Sequence, residues 1–411
     1  MNSVLSSQER IVVSGIGMIT PFGSDKNTFF EKLCEGESGI APISEFDTSR
    51  FSSHLAAEVK DFNPRDFLNV RNIRRMDKLS MMVAASARLA KDDTGLEIDE
   101  TNRDRVGIIL GTSYGGTDIA ALFGKSLFAD GPQYANPFLV PNTVMNAPAG
   151  HTSIELKFRG VNSTINHREA SAETAIAYAA SELKRGRADI LFCGGADILS
   201  PFFFEILSNF KALSPVDGQT EKSKPFDAMR NGPVAGEGAG ILCMETLAHA
   251  ESRGANPYCE IVGWGMSSSP APPNDWPEDP QGPILAIRRA LESAGIEPGE
   301  IDYISASANG GRKLDALEGQ AISEVFGNAE KSPFVSTIKG AVGESFSSGG
   351  IRSACMAQSI QTGCIPPILG LEKPMLPLKF VKTKADVSIK YGLINGFSSG
   401  GTFTTLIFKK I

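Results

Sequence analysis

Short apolar runs alternate along the chain with longer stretches whose hydrophobic residues recur at helical spacing. The runs in RIVVSGIGM, RVGIILGTS, DILFCGGAD, GAGILCMET, CEIVGWGMS, DYISASANG and GLINGFSSGG read as buried strands. Between them, residues 76–93, 169–185 and 283–294 read as helices. Strands alternating with helices predict an α/β protein.

The pattern also repeats. RIVVSGIGMIT near the start resembles CEIVGWGMSSS from Cys259. VNSTIN, a bend and a helix resemble FVSTIKGAVGE, a bend and a helix, and ADILFCGGAD resembles YGLINGFSSGG. The order is the same both times, which predicts a duplicated unit with a boundary near Gly254: residues 1–254 and 255–411. No low-complexity linker separates the halves, so they are expected to pack tightly.

Composition narrows the function classes. The 411 residues are 41% hydrophobic and 21% charged, an ordinary globular balance, and the net charge of −7 disfavours nucleic acid as a partner. No apolar run approaches the ~20 residues that span a bilayer, and the start lacks the basic and apolar regions of a secretory signal. Membrane association is therefore not expected, and a cytoplasmic location is. Six cysteines without CxxC spacing read as reduced thiols. His54, His151, His167 and His249 form no metal-type pair, so no metal or other cofactor is expected.

One stretch has the layout of a reaction centre. In TINHREASAETAIAYAASELKRG, residues 164–186, a β-like run meets a tight bend and then a helix. Enzymes present nucleophiles at such bends, where the helix dipole helps. The bend carries Glu169 and no cysteine. His167 could serve as a base but reads better as a bend residue, and Ser171 reads as a helix cap. Cys193, inside DILFCGGAD, reads as a buried core thiol.

Several further segments, in order, resemble the β-ketoacyl-acyl-carrier-protein synthases of the thiolase fold. They are VSGIGMITPFG, GIAPISEFDTSRFSSHLAAEVKDFNP, MDKLSMMVAASARLA, ALSPVDGQTEKSKPFDAMRNGPVAGEGAGILCME, VSTIKGAVGESFSSGG and INGFSSGGTFTTLIF. The resemblance implies duplicated βαβαβ halves in a five-layered αβαβα architecture. It also implies a catalytic set of one cysteine, in a Thr-Ala-Cys-Ala-Ser-Gly bend, and two histidines. Here Glu169 stands at the cysteine. Ser307, in SASAN, stands at the first histidine, and Glu344, in KGAVGES, at the second, while Lys339 and Gly343 remain. The gate loop, Phe397, Ser398 and Ser399, carries Ser399 at its aromatic position. Two acidic side chains in one pocket would repel a malonyl carboxylate unless one stayed protonated. Glu169 is expected to plug the acyl entrance, its carboxylate held by helix N–H groups.

This degenerate set is similar to that of the chain length factors of type II polyketide synthases. Those subunits pair with an active ketosynthase and shape the tunnel for a chain carried on an acyl carrier protein. Many have glutamine at the cysteine position, so Glu169 departs from them. The resemblance implies a heterodimer that meets through the strand before the bend, including Asn162, Ser163, Thr164 and Ile165, and through a loop including Phe138. It also places Thr117, Ala120 and Gly124 on one helix face toward the tunnel, or else as small residues that let helices pack closely. Leu122, Phe123 and Leu127 on that helix are expected in the core. The alternatives are a malonyl-carrier-protein decarboxylase that primes the chain and a non-catalytic acyl-binding scaffold.

Overall fold

The computed structural model describes residues 10–327 and 331–411. Ten strands form its central sheet: β1 Ile11–Ile19, β2 Val106–Gly111, β3 Asn162–Ile165, β4 Ile190–Asp197, β5 Gly238–Thr246, β6 Cys259–Ser268, β7 Tyr303–Ser305, β8 Phe334–Ser336, β9 Tyr391–Ser398 and β10 Thr402–Lys409. They lie in the order β8-β7-β9-β10-β6-β1-β5-β4-β2-β3.

That order contains one pattern twice. Strand β2 runs parallel to β3 and β4, and β5 runs antiparallel to β4 and β1. Likewise β7 runs parallel to β8 and β9, and β10 runs antiparallel to β9 and β6. The seam is a short antiparallel pairing of β1 with β6, from Ile11↔Ile261 to Val13↔Cys259. The repeats visible in the sequence are therefore equivalent strands: β1 with β6, β3 with β8, and β4 with β9.

Helices complete the layers. Helix α1 is Lys78–Asp93, α2 Thr117–Asp130, α3 Ala147–Leu156, α4 Ser171–Lys184, α5 Pro201–Asn209, α6 Gln281–Ala294, α7 Arg312–Phe326 and α8 Gly349–Thr362. Helices α4 and α8 touch strands of both halves and form the middle layer, while α1 and α3 pack on the first half and α6 on the second. Helix α7 packs on α6. The result is the five-layered thiolase fold.

The outer helices lie almost on the strands because both copies keep a Gly-x-Gly pair. A Cβ at Gly17 would sit 2.1 Å from the Ser86 carbonyl oxygen of α1, and one at Gly265 would sit 2.1 Å from the Ala286 carbonyl oxygen of α6. Helix starts differ slightly from the periodicity. Helix α1 begins at Lys78 because the Asp77 side chain accepts from the Ser80 amide. Among the described residues, no helix is long and apolar enough to cross a membrane.

Candidate functional site

The bend after β3 turns through a short 3₁₀ segment, Arg168–Ala170, with Arg168 at φ 52, before α4 starts. Ser171 holds this bend closed: its Oγ accepts from the His167 amide at 2.9 Å and donates to the Arg168 carbonyl at 2.6 Å. It is thus a brace within the bend rather than the expected helix cap, since α4 has no side-chain cap bond. His167 is exposed and does not face the cavity described below.

Glu169 is buried, and the end of β9 with the loop after it holds its carboxylate. Ser398 Oγ donates to Oε2 at 3.0 Å, the Ser399 amide donates to Oε2 at 3.2 Å, and Ser399 Oγ lies 3.0 Å from Oε1. The expected partners were helix N–H groups. The gate loop takes that role because the bend aims the side chain at the second half of the chain. Burial pushes the Glu169 carboxyl above the usual carboxylate range, against the opposing pull of Arg168.

Glu344 has a different solution. Its Oε2 accepts from Lys339 Nζ and from Asn309 Nδ2, both at 2.7 Å, and its Oε1 accepts from the Phe346 amide at 2.9 Å. Both members of the Lys339–Glu344 pair are almost fully buried. The two glutamates line one cavity of about 580 Å³ with Tyr114, Phe203, Asn309 and Phe346. The expected repulsion of a carboxylate ligand is accordingly reduced, because Glu344 is neutralised by Lys339.

Ser307 is fully buried and does not face this cavity. Its amide donates to Glu318 Oε1 at 2.9 Å, and its Oγ lies 3.3 Å from the Phe397 amide, which donates to it. Asn309, two residues on, reaches the cavity instead. Phe397 turns into the core, edge-on to Phe403 with centroids 5.3 Å apart, so the gate loop acts through its two serines. Cys193 is buried against Met244, and burial pushes its thiol well above the usual range. No cysteine lines the cavity.

Sequence reasoning missed three supports. Asp197, at the end of β4, accepts from Thr112 Oγ1, the Ser113 and Tyr114 amides, and the Ser347 amide, which ties the cavity loop of one half to the other. Burial pushes its carboxyl up to about 6. Tyr114 stacks on Phe203 with centroids 3.8 Å apart and meets Phe346 edge-on at 4.9 Å. Beneath the bend, Glu173 of α4 pairs with Arg352 of α8 at 2.8 Å, both fully buried. The available signal was Arg352, the one charged residue in the small-residue helix α8. Among the described residues, no group of three or more His, Cys, Asp or Glu side chains could hold a metal ion.

Helix α2 has no buried residue. Leu122 is 54% exposed, and Phe123 and Leu127 are only partly covered, which corrects their expected place in the core. The segments Pro132–Tyr134 and Pro137–Asn142 and helix α5 touch α2 without burying any of its residues. Thr117, Ala120 and Gly124 are partly exposed and do not line the cavity. A Cβ at Gly124 would meet only the Phe128 ring, at 4.0 Å, so close helix packing within the chain does not explain the glycine. Phe128 and Phe138 are 89% and 84% exposed. Strand β3, with Asn162, Ser163, Thr164 and Ile165, is an edge of the sheet and, among the described residues, pairs only with β2. Asn162 bonds back to Ser153 Oγ at 2.7 Å.

Residues 8–250 match the N-terminal domain of beta-ketoacyl synthases, and residues 258–372 match the C-terminal domain. The chain is 33% identical to 3-oxoacyl-[acyl-carrier-protein] synthase 2 of Coxiella burnetii, over 98% of this chain and 99% of that one. It is 34% identical to the protein of the same name from Staphylococcus aureus, over 99% of each. A solved structure described as the ishigamide ketosynthase/chain length factor superposes with a TM-score of 0.90 at 30% identity, over 98% of this chain and 99% of that one. A beta-ketoacyl synthase from Burkholderia phymatum gives a TM-score of 0.90 at 26% identity, with the same coverage. The fold, the paired domain matches and these relatives lead to one conclusion: the chain belongs to the beta-ketoacyl synthase family.

Proposed function

We propose that this chain is a chain length factor, the non-catalytic partner of an active ketosynthase in a type II polyketide synthase. One observation carries the reading. The position that would present a nucleophile holds Glu169, and its carboxylate is tied to Ser398 and Ser399. No thiol or imidazole lines the cavity to take an acyl group or polarise a thioester. The sequence relatives named above are synthases, and what separates this chain from a condensing enzyme is the chemistry of these few side chains.

A second observation supports the partner. The edge strand β3, paired on one side, the helix α2 with no buried residue and the exposed Phe138 leave surface that a monomer would not keep in water. An active ketosynthase docked there would extend the sheet across β3 and cover α2, burying well over ~2,000 Å². Thr117, Ala120 and Gly124 would then lie toward the tunnel of the growing chain, which an acyl carrier protein delivers. The assembly would be cytoplasmic.

The decarboxylase alternative draws no support from the site, because Ser307 is turned away from the cavity and Glu344 is held by Lys339. The test is co-expression with the cognate active ketosynthase, followed by size exclusion. The expected result is a one-to-one complex. A soluble homodimer that ignores the ketosynthase overturns the proposal.

A further inference from the structure

Away from the cavity, Cys34 and Cys364 bring their Sγ atoms to 2.6 Å across a separation of 330 residues. Cys34 lies in the last turn of the helix Lys26–Glu35, and Cys364 opens the strand Cys364–Ile365 just after α8 and Gly363. Sulfurs in ordinary contact stay about 3.6 Å apart, and a disulfide closes to about 2.05 Å. The two sulfurs are therefore direct neighbours, as a dithiol able to close to a bond requires.

Accessibility distinguishes this pair from the other thiols. Cys34 and Cys364 are half-buried, whereas Cys193, Cys243, Cys259 and Cys355 are buried. A small oxidant reaches the first two and not the rest. The position also has a structural consequence. The segment that follows Cys364 backs the turn carrying Lys339, since a Cβ at Gly340 would meet the Leu369 carbonyl oxygen at 2.4 Å. A cross-link to the helix Lys26–Glu35 would anchor that segment at its start.

We propose that Cys34 and Cys364 are a modification site, a dithiol that a low-molecular-weight disulfide such as oxidised glutathione converts to an intramolecular disulfide. One cysteine thiolate attacks the glutathione disulfide, forming a mixed disulfide and releasing one glutathione thiolate. The second cysteine sulfur then attacks the protein sulfur of the mixed disulfide, forming the Cys34–Cys364 bond and releasing the second glutathione. The two thiol protons go to the two leaving thiolates. The protein loses two hydrogens and the oxidant gains them. Burial and the neighbouring Cys364 push the Cys34 thiol up, which slows the exchange at neutral pH without preventing it.

The test equilibrates the full chain in oxidised glutathione, quenches with acid, and counts free thiols after denaturation with a chromogenic disulfide reagent. Peptide mapping then locates any bond. The expected result is a fall from the six thiols of the sequence to four, with one linked peptide pair joining Cys34 to Cys364. Cys34→Ser and Cys364→Ser should each keep all of their remaining thiols or carry a single glutathione, with no linked pair. Oxidised wild-type protein should melt a few degrees higher than reduced, and a reductant should reverse the shift. Six free thiols in the wild type, or a linked pair involving another cysteine, overturns the proposal.

Discussion

Ser399 donates its hydroxyl to the Glu169 carboxylate at 3.0 Å, joining the loop after β9 to the bend after β3. Each half of the chain supplies one residue of this contact. A carboxylate buried at the bend would be costly without donors, and a serine in place of a bulky gate residue supplies them. Glu169 and Ser399 therefore act as one buried unit that joins the two halves.

That contact predicts a pH-dependent stability difference. The folded-state carboxyl of Glu169 lies above its ordinary value of 4.5, so ionisation of this group destabilises the folded state. The penalty is absent below about pH 4.5 and grows as pH rises toward the folded-state pKa. Glu169→Gln keeps the shape and removes the charge. Its melting temperature should rise relative to wild type as pH increases above about 4.5 and level off once the folded-state pKa is passed. Thermal unfolding of both proteins across that range checks this, and a difference that shrinks with rising pH contradicts it.

Restoring the nucleophile alone should not restore chemistry. Glu169→Cys places a thiol at the bend, but Ser307 faces Phe397 rather than the cavity and Glu344 remains paired with Lys339. No imidazole is present to stabilise an enolate, a class of contribution worth on the order of 10²–10³ in rate. Iodoacetamide should alkylate the introduced thiol in the peptide that spans the bend, yet product mass spectrometry should show no condensation. Condensed product from this variant alone contradicts the prediction.

The buried pair Glu173–Arg352 gives a stability prediction. Arg352 also donates to the Ser305 carbonyl at 2.5 Å, and Gly349 and Gly396 leave the space that the Glu173 carboxyl fills. Arg352→Leu strands a buried carboxylate and should cost about 3–5 kcal/mol. Arg352→Leu with Glu173→Leu should cost less than the sum of the single changes, as read from denaturant unfolding of a double-mutant cycle.

Chain length supplies a prediction that rests on the heterodimer. A Cβ at Gly124 meets only the edge of the Phe128 ring, at 4.0 Å, so Gly124→Phe should fold normally. In the reconstituted complex the added ring would intrude on the tunnel, with an overpacking cost of ~1–3 kcal/mol for longer intermediates. About 1.4 kcal/mol already shifts partitioning tenfold. Products should shorten, with Ala120→Phe acting in the same direction and Ser126→Phe as the control. Carrier-bound product masses read the outcome, and an unchanged distribution with Gly124→Phe assigns the tunnel floor elsewhere.

The strands and their duplication were legible because both follow local pattern. β1 with β6, β3 with β8, and β4 with β9 carry matching apolar runs, and a bend follows β3 and β8 alike. The long-range polar partners were not legible. Ser399 to Glu169 spans 230 residues and Arg352 to Glu173 spans 179, and periodicity holds no information on such pairs. The helix α2 misled for a related reason. Its Leu122, Phe123 and Leu127 carry the spacing of a core-facing helix, yet Leu122 is exposed and Phe123 and Leu127 are only partly covered.

The central claim is that this chain contributes shape and no chemistry. The most direct measurement incubates the purified chain, alone and with its ketosynthase, with acyl- and malonyl-carrier protein, and follows intact masses and products. The account predicts an acyl adduct on the ketosynthase only, condensation only when both subunits are present, and no mass change on this chain. An acyl adduct on this chain, or condensation by it alone that survives Glu169→Ala, would contradict the account.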